Sequence, residues 1–383
     1  MPRIGQFKQP DGDRLSDRVA IALLTRTYPP ELVDRAVTES GSSGRRQRLL
    51  PPRLVVYFVL AMCLFVDKGY QEVARMLTQG LSWAGLGAEP SQVPTAAAIS
   101  RARVKLGAAP LKALFEQAVK SSGVELTTDE SYGRRRLLMV DDMTFDVPDS
   151  EENVMCFGHS TARAVGPSEL PQVRVMALVE YATRAIVHAA AGPPANVADS
   201  TPADDLFTAL RPTDLLVADH ALVHTAQWAA AVARGADLLC PVGPEIALPI
   251  GRELPDGSHL SDLADAYGNH ITAGHSRVRV ISYTGGRSAR LERHRLITSI
   301  VDHETAPAAE LAALYSDRCE AESPLRDLKT RQMGRIETLR SRTPECVEQE
   351  IWGHLLVHHA IGPLLPTAPG SRTSDEWHGR LFR

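Results

Sequence analysis

Two short apolar runs, each followed at once by aspartate, constrain the fold of this chain more than any other feature. Leu137-Leu-Met-Val140 leads into Asp141-Asp142, and Leu215-Leu-Val-Ala218 leads into Asp219. Short, continuous apolar runs fit strands buried on both faces. A carboxylate at the end of such a strand is held rigidly, while the loops beyond it admit solvent and substrate, which suits a metal ligand. Two hard divalent cations share carboxylates and keep positions open for phosphate oxygens. One such aspartate alone reads as a helix cap or turn residue. Two on strands in this order make a ligand pair an equal reading, with a third carboxylate to come from elsewhere.

The surrounding pattern gives the order of elements. Residues 14–25, 30–38, 53–66, 70–79, 95–106 and 108–121 carry helical apolar spacing, with a basic linker at Gly41-Ser-Ser-Gly-Arg-Arg-Gln-Arg48. The character changes at Arg134. Strands are expected at 137–140, 173–181 and 185–190, then helix near 203–210, strand 215–218, helix 222–233 and strand 237–242. Three strands, helix, strand, helix, strand is the order of a ribonuclease-H-like domain, so the expected class is α/β with a mixed sheet. Residues 243–303 interrupt it with Gly, Pro and alternating β-branched runs such as Val278-Arg-Val-Ile-Ser-Tyr283, a β-rich insertion expected to lie outside the sheet. Helix returns at 307–331 and 344–361. The expected organisation is therefore 1–125 helical, 126–242 the first part of a catalytic domain, 243–303 insertion, 304–362 the last catalytic helices and 363–383 an irregular tail.

Composition excludes several classes. With 44% hydrophobic and 23% charged residues the chain is globular and not disordered. The five cysteines, Cys63, Cys156, Cys240, Cys319 and Cys346, are far apart and never in a Cys-x-x-Cys pair, which argues against a disulfide framework, zinc ribbon or iron–sulfur site. The longest apolar stretch, Leu54 to Val66, falls short of the about twenty residues a spanning helix needs. A soluble, cytoplasmic protein without membrane contact is expected. Net charge is −4, but residues 1–136 carry +7 and the remainder −11. A basic N-terminal part before an acidic remainder is compatible with DNA binding ahead of a metal-binding domain, and equally with an uneven solvated surface.

The third carboxylate is sought in Tyr315-Ser-Asp-Arg-Cys-Glu-Ala-Glu-Ser-Pro-Leu-Arg-Asp-Leu-Lys329. At 100° per residue, Tyr315, Arg318, Glu322 and Lys329 fall within an arc of about 60° on one helix. A carboxylate, two cations and a phenol make a poor core stripe and suit a metal ligand flanked by phosphate contacts. The spacing Tyr-x2-Arg-x3-Glu-x6-Lys resembles the YREK signature of bacterial DDE transposases of the insertion-sequence-four family. Val147-Pro148-Asp149, Phe157-Gly158, Leu216-Val-Ala-Asp219, Leu254-Pro-Asp-Gly257, His294-Arg-Leu-Ile-Thr298 and Leu339-Arg-Ser-Arg-Thr-Pro344 are similar to further family segments, over about residues 15–360.

The resemblance implies that Asp141, Asp219 and Glu322 hold two Mg²⁺ or Mn²⁺ ions per active site for in-line attack on phosphodiesters. It implies that Tyr315, Arg318 and Lys329 grip the backbone of double-stranded DNA at the element's terminal inverted repeats. Cut-and-paste transposition into target DNA by a homodimer, in a bacterial cytoplasm at the nucleoid, follows as the expected activity. A catalytically silent, DNA-binding descendant is the alternative, and a stand-alone nuclease of the same fold a third. Arg101 and Lys105 share a face of the helix over 95–106, a plausible phosphate strip or simply a solvated face.

Departures from the family pattern are specific. Asp142 stands where the family has Gly, and strand alternation predicts that it points away from Asp141. His220 stands where the family has Arg. Pro324 falls inside the signature helix and kinks it, or with Ser323 as N-cap starts a new one. The insertion has no Trp for a base flipped out during hairpin formation, leaving Tyr267 or Tyr283 to stack it. His220 and His224 have a zinc-like spacing without a third ligand, and His354 and His358 read as core edge or surface.

Overall fold

The computed structural model describes residues 15–42, 50–83, 93–121, 131–159, 168–194, 202–218, 225–244, 246, 248–263, 277–285, 292–320, 323–334 and 338–362. They form two compact units. The first draws on Met1–Ser122, Val147–Asn153 and Leu328–Leu365, the second on Gly123–Asp146 and Val154–Asp327.

The first unit is helical: α1 (Leu15–Thr27), α2 (Pro30–Glu39), α3 (Pro52–Leu64), α4 (Tyr70–Trp83), α5 (Ala96–Leu106) and α6 (Ala109–Ser121). Local chemistry sets the boundaries. Proline opens α2 and α3, where a missing N–H costs nothing. Thr95 caps α5 by accepting from the Ala98 N–H at 3.3 Å, and Gly107 ends it at φ +74°, a conformation that favours glycine. α3 is buried almost throughout, which accounts for its apolar run without any membrane. Among the described residues no helix is long and apolar enough to cross a membrane.

The last long helix, Pro344–Ile361, packs in the first compact unit with the N-terminal helices. The reason is steric and polar together. A Cβ on Gly353 would stand 2.7 Å from Cys63 Sγ and 2.9 Å from a Val59 methyl of α3, so the two helices approach as closely as a glycine allows. Gln349, fully buried, donates to the carbonyls of Arg103 and Gly107 at 3.1 and 2.8 Å.

The second unit is built on a mixed sheet with β1 (Ser131–Tyr132), β2 (Arg135–Asp146), β3 (Gln172–Glu180), β4 (Ile186–Gly192), β5 (Asp214–Val217), β6 (Asp237–Pro241), β7 (Arg252–Glu253), β8 (His259–Asp262), β9 (Arg277–Gly285) and β10 (Glu292–Thr298). The order is β4-β3-β2-β5-β6-β10-β9-β8-β7, with β1 on the edge of β2. β3 runs antiparallel to β2 and β4 antiparallel to β3, while β5 and β6 are parallel to β2 and to each other. The intervening helices α8 (Pro202–Thr208) and α9 (Thr225–Ala233) cover one face. A helix over Ala308–Glu320 covers the other. This is the ribonuclease-H-like arrangement.

The described residues of the insertion are strand and loop, but its strands do not lie outside the sheet. β10 pairs with β6 through Leu296↔Pro241, Ile297↔Cys240 and Thr298↔Leu239, so β10 to β7 extend the central sheet. Val278, Val280 and Ile297 enter the same core as Leu216 and Leu238. Burying these side chains needs a sheet surface to continue onto, and β6 supplies an edge that would otherwise expose its hydrogen-bonding groups.

Candidate active site

Asp141 sits in the interior of β2, not at its end, because the strand runs on to Asp146. Alternation along β2 sends Leu137, Met139 and Asp141 to one face and Leu138, Val140 and Asp142 to the other. Leu137 packs with Leu215, Val217 and the Ala308–Glu320 helix, whereas Leu138 and Val140 pack with α8 and α9. The adjacent acids therefore point to opposite sides of the sheet, as strand geometry requires.

Their partners differ as well. Asp142 is taken by Arg174 on β3, whose Nε and Nη2 donate to the two carboxylate oxygens at 2.8 and 2.7 Å. The pair holds the Arg174 guanidinium above its usual pKa. Among the described residues Asp141 instead accepts only from neutral donors. The Ser323 hydroxyl lies 2.8 and 2.7 Å from its two oxygens, the Leu325 N–H donates to Oδ2 at 2.8 Å, and the Asp142 N–H donates to Oδ1 at 3.0 Å. A partly exposed carboxylate with hard oxygen donors and, among the described residues, no ion pair fits a divalent cation. Asp142, already neutralised by a fork of two hydrogen bonds, does not.

Asp219 and Glu322 lie outside the described residues. Their chain neighbours are informative. Strands β2 and β5 pair in parallel, with Met139 opposite Val217. Asp141 and Asp219 each follow that pair by two residues in the sequence. Ser323, in contact with Asp141, is the residue after Glu322. Among the described residues no group of three potential ligands gathers, two of the three acids being beyond them.

The signature segment is not one helix. Here α10 (Ala308–Glu320) ends, α11 (Pro324–Asp327) begins, and a π-helical turn follows over Leu328–Gln332. Pro324 has no N–H for the helical ladder, and its ring crowds the preceding turn. Ser323 becomes the new N-cap, its Oγ accepting from the Arg326 N–H at 3.0 Å. The common 60° arc over 315–329 is thereby corrected. Tyr315 on α10 is 7% exposed and packs in the core with Leu311 and Leu314. The Arg318 side chain lies outside the description, and Lys329 is partly exposed in the π-turn, which belongs to the first unit.

The insertion anchors the start of α10. Arg279, fully buried on β9, donates to Asp256 Oδ2 at 2.6 Å, to the Ser258 hydroxyl at 2.8 Å and to the Ala306 carbonyl at 2.7 Å. The same Asp256 oxygen accepts from the Ala308 N–H at 3.0 Å, the first residue of α10. The Leu254-Pro-Asp-Gly257 segment is thus a helix cap delivered from the insertion.

The remaining candidates fall as follows. Arg101 and Lys105 are exposed on α5, beside buried Arg103. His220, His224 and Tyr267 lie outside the described residues. Tyr283 is partly buried and packs on His294 with ring centroids 5.3 Å apart. His354 is buried and receives Gln332, and burial pushes its pKa down to about 4. Sequence reasoning missed Ser323 and Arg174. The Ser-Pro pair signalled a helix start, but nothing local signalled that the cap would also meet a carboxylate 182 residues away.

Comparison with known proteins places the chain in a family. Residues 18–116 match the insertion element 4 transposase N-terminal family, and residues 132–359 match the transposase DDE domain. The chain is 28% identical over 345 residues to the transposase InsG for insertion sequence element IS4 of Escherichia coli (strain K12), covering 87% of this chain and 74% of that protein. It is 23% identical over 171 residues to the putative transposase InsZ of the same organism, covering 45% and 54%. A cryo-EM structure of the piggyBac transposase synaptic complex with hairpin DNA aligns over 97% of this chain and 81% of that one, at 9% identity and a TM-score of 0.45. The DDE domain model spans the sheet, the insertion and the segment from Tyr315 to Lys329, and the chain belongs to the insertion-sequence-four family of DDE transposases, enzymes that act on DNA and depend on divalent metal.

Proposed function

We propose that Asp141, Asp219 and Glu322 together hold two Mg²⁺ or Mn²⁺ ions and that the enzyme moves its own element by a cut-and-paste route. The observation that supports this most directly is the hydrogen bond from Ser323 to Asp141, which brings the chain neighbour of Glu322 against the first acid. Bound divalent ions supply an activated water or 3′-hydroxyl and stabilise the leaving oxygen of an in-line displacement. Asp141 would hold its ion from β2, its carboxylate oriented by Ser323 at the start of α11. Asp142, on the far face and paired with Arg174, takes no part. Arg318 and Lys329 contact DNA phosphates, Tyr315 supports their segment, and Arg101 with Lys105 forms a second phosphate strip. The partners are terminal inverted repeats and target DNA, bridged by a homodimer at the nucleoid. Nothing observed favours a catalytically silent descendant.

The test is cleavage of a DNA duplex bearing the element's end. Glu322→Gln and Asp141→Asn keep size but lose the charge that holds a cation; because both Asp141 oxygens accept from N–H donors, folding of Asp141→Asn is checked alongside. Both should abolish Mg²⁺-dependent cleavage and leave DNA binding nearly intact, while Asp142→Asn cuts normally. Normal cutting by Glu322→Gln, or a dead Asp142→Asn beside an active Asp141→Asn, would overturn the assignment.

A further inference from the structure

We infer that Ser323 is a positioning residue for the metal site: its hydroxyl fixes the plane of the Asp141 carboxylate and ties it to the chain segment that carries Glu322. The inference rests on the metal reading of Asp141 given above.

The hydrogen bonds have a direction. The Arg326 N–H donates to Ser323 Oγ at 3.0 Å, which occupies the hydroxyl oxygen as an acceptor. Its own proton then points to Asp141, shared between two oxygens at 2.8 and 2.7 Å. Pro324, fixed in φ, holds Ser323 at this cap. The Leu325 N–H on Oδ2 and the Asp142 N–H on Oδ1 complete the set. An ionised carboxylate offers about four lone-pair sites. Three neutral donors therefore make four contacts, two on each oxygen. Such a carboxylate is held in one orientation with its charge uncompensated. The shared hydroxyl proton needs only one of the two oxygens, so settling on one frees a direction on the other for a cation, and little orientational freedom remains to be lost on binding.

A capping role alone makes different predictions. Replacing an N-cap serine by glycine disturbs the cap far less than replacing it by alanine. Glycine thus removes the hydroxyl while nearly preserving the cap, and threonine preserves both.

The experiment is titration of the metal-free full-length protein with Mn²⁺ in the absence of DNA, for wild type, Ser323→Gly, Ser323→Ala, Ser323→Thr and Asp141→Asn. Loss of a group that orients a metal ligand weakens affinity by about 10–100-fold. Both Ser323→Gly and Ser323→Ala should show that loss, and Ser323→Thr should bind like wild type. In cleavage assays the Mn²⁺ concentration for half-maximal rate should rise by the same factor, with the rate at saturating Mn²⁺ close to wild type. If Ser323→Gly binds Mn²⁺ as wild type does while Ser323→Ala does not, the residue only caps α11. If Ser323→Gly binds more tightly, the hydroxyl competes with the metal and positioning is wrong. Unchanged binding by Asp141→Asn would sink the metal reading itself, a result distinct from either.

Discussion

Arg103→Met should destabilise the helical unit by about 3–5 kcal/mol, the range for removing one member of a buried charged network. The guanidinium is 2% exposed. Its Nε donates to Gln349 Oε1 at 2.7 Å, and Nη2 donates to Ser341 Oγ at 2.9 Å and to the Cys346 carbonyl at 3.2 Å. Nη1 meets the Tyr70 hydroxyl. Ser341 passes the interaction on, donating its hydroxyl to Glu350, which is 3% exposed and also accepts from the N–H groups of Arg340 and Ser341. Each charged hydrogen bond is worth about 1.5–3 kcal/mol, but they share one donor group and do not add. Methionine fills most of the volume, so the loss is electrostatic and not a cavity. Amide hydrogen exchange in α3, α5 and the Pro344–Ile361 helix is the appropriate assay, since a chain of two compact units need not unfold in one step. At 1.4 kcal/mol per decade, exchange should accelerate by roughly two to three and a half decades. Adding Glu350→Gln removes the charge left uncompensated, so the double variant should recover about 0.5–3 kcal/mol relative to additivity. Arg103→Lys keeps the charge without the fork and should recover less than half of the loss. Less than tenfold faster exchange in a folded Arg103→Met, or strict additivity with Glu350→Gln, would refute this account.

Two further outcomes follow. Burial pushes His354 down to about 4, below the 6.5 of an unfolded chain. Between those values the unfolded state binds the extra proton, so stability falls as pH drops from about 6.5 to about 4, by about 3 kcal/mol in all. Denaturation midpoints at pH 7 and 4.5 should show this, and His354→Leu should flatten the difference; an equal slope in the variant would show that another group is responsible. Arg318→Ala, Lys329→Ala, Arg101→Ala and Lys105→Ala should each lower the salt dependence of DNA binding by about 0.9 in log–log slope per lost phosphate contact. Slopes identical to wild type would remove that residue from the phosphate contacts.

The helical region was legible to within about four residues at each helix end, because its apolar spacing and opening prolines are local signals. The sheet order from β2 to β6 was legible too, since buried strands of four or five apolar residues alternate there with short helices. What failed was non-local. β2 continues past Asp141 because the two acids split between faces and Arg174, on a neighbouring strand, neutralises one of them. The short helix α7 (Glu151–Phe157) has too few residues to show a period. The pairing of β10 with β6 joins positions more than fifty residues apart, and hydrophobic alternation in β10 does not say which edge it will meet. The allegiance of the last helix rests on Gly353 meeting α3 and Gln349 meeting α5, neither of which periodicity can reveal.

The signature segment shows why spacing and geometry should be argued separately. Placing Tyr315, Arg318, Glu322 and Lys329 on one face assumes about 3.6 residues per turn without interruption. Pro324 breaks that assumption, and the π-turn after Asp327 changes the phase again. The break is also what frees Ser323 to cap a new helix and to donate to Asp141, so the interruption that spoils the arithmetic creates the best-defined contact at the site. Tyr315 is packed in the core, and Lys329 belongs to the other compact unit. A shared helical face therefore no longer supports treating the tyrosine and the two cations as one DNA-gripping group. That grouping now rests on the family resemblance, and the salt dependence of the Arg318 and Lys329 variants decides it: equal slope losses would require both cations to reach phosphate despite the broken helix, whereas a loss for one alone would confine the DNA contact to its side of Pro324.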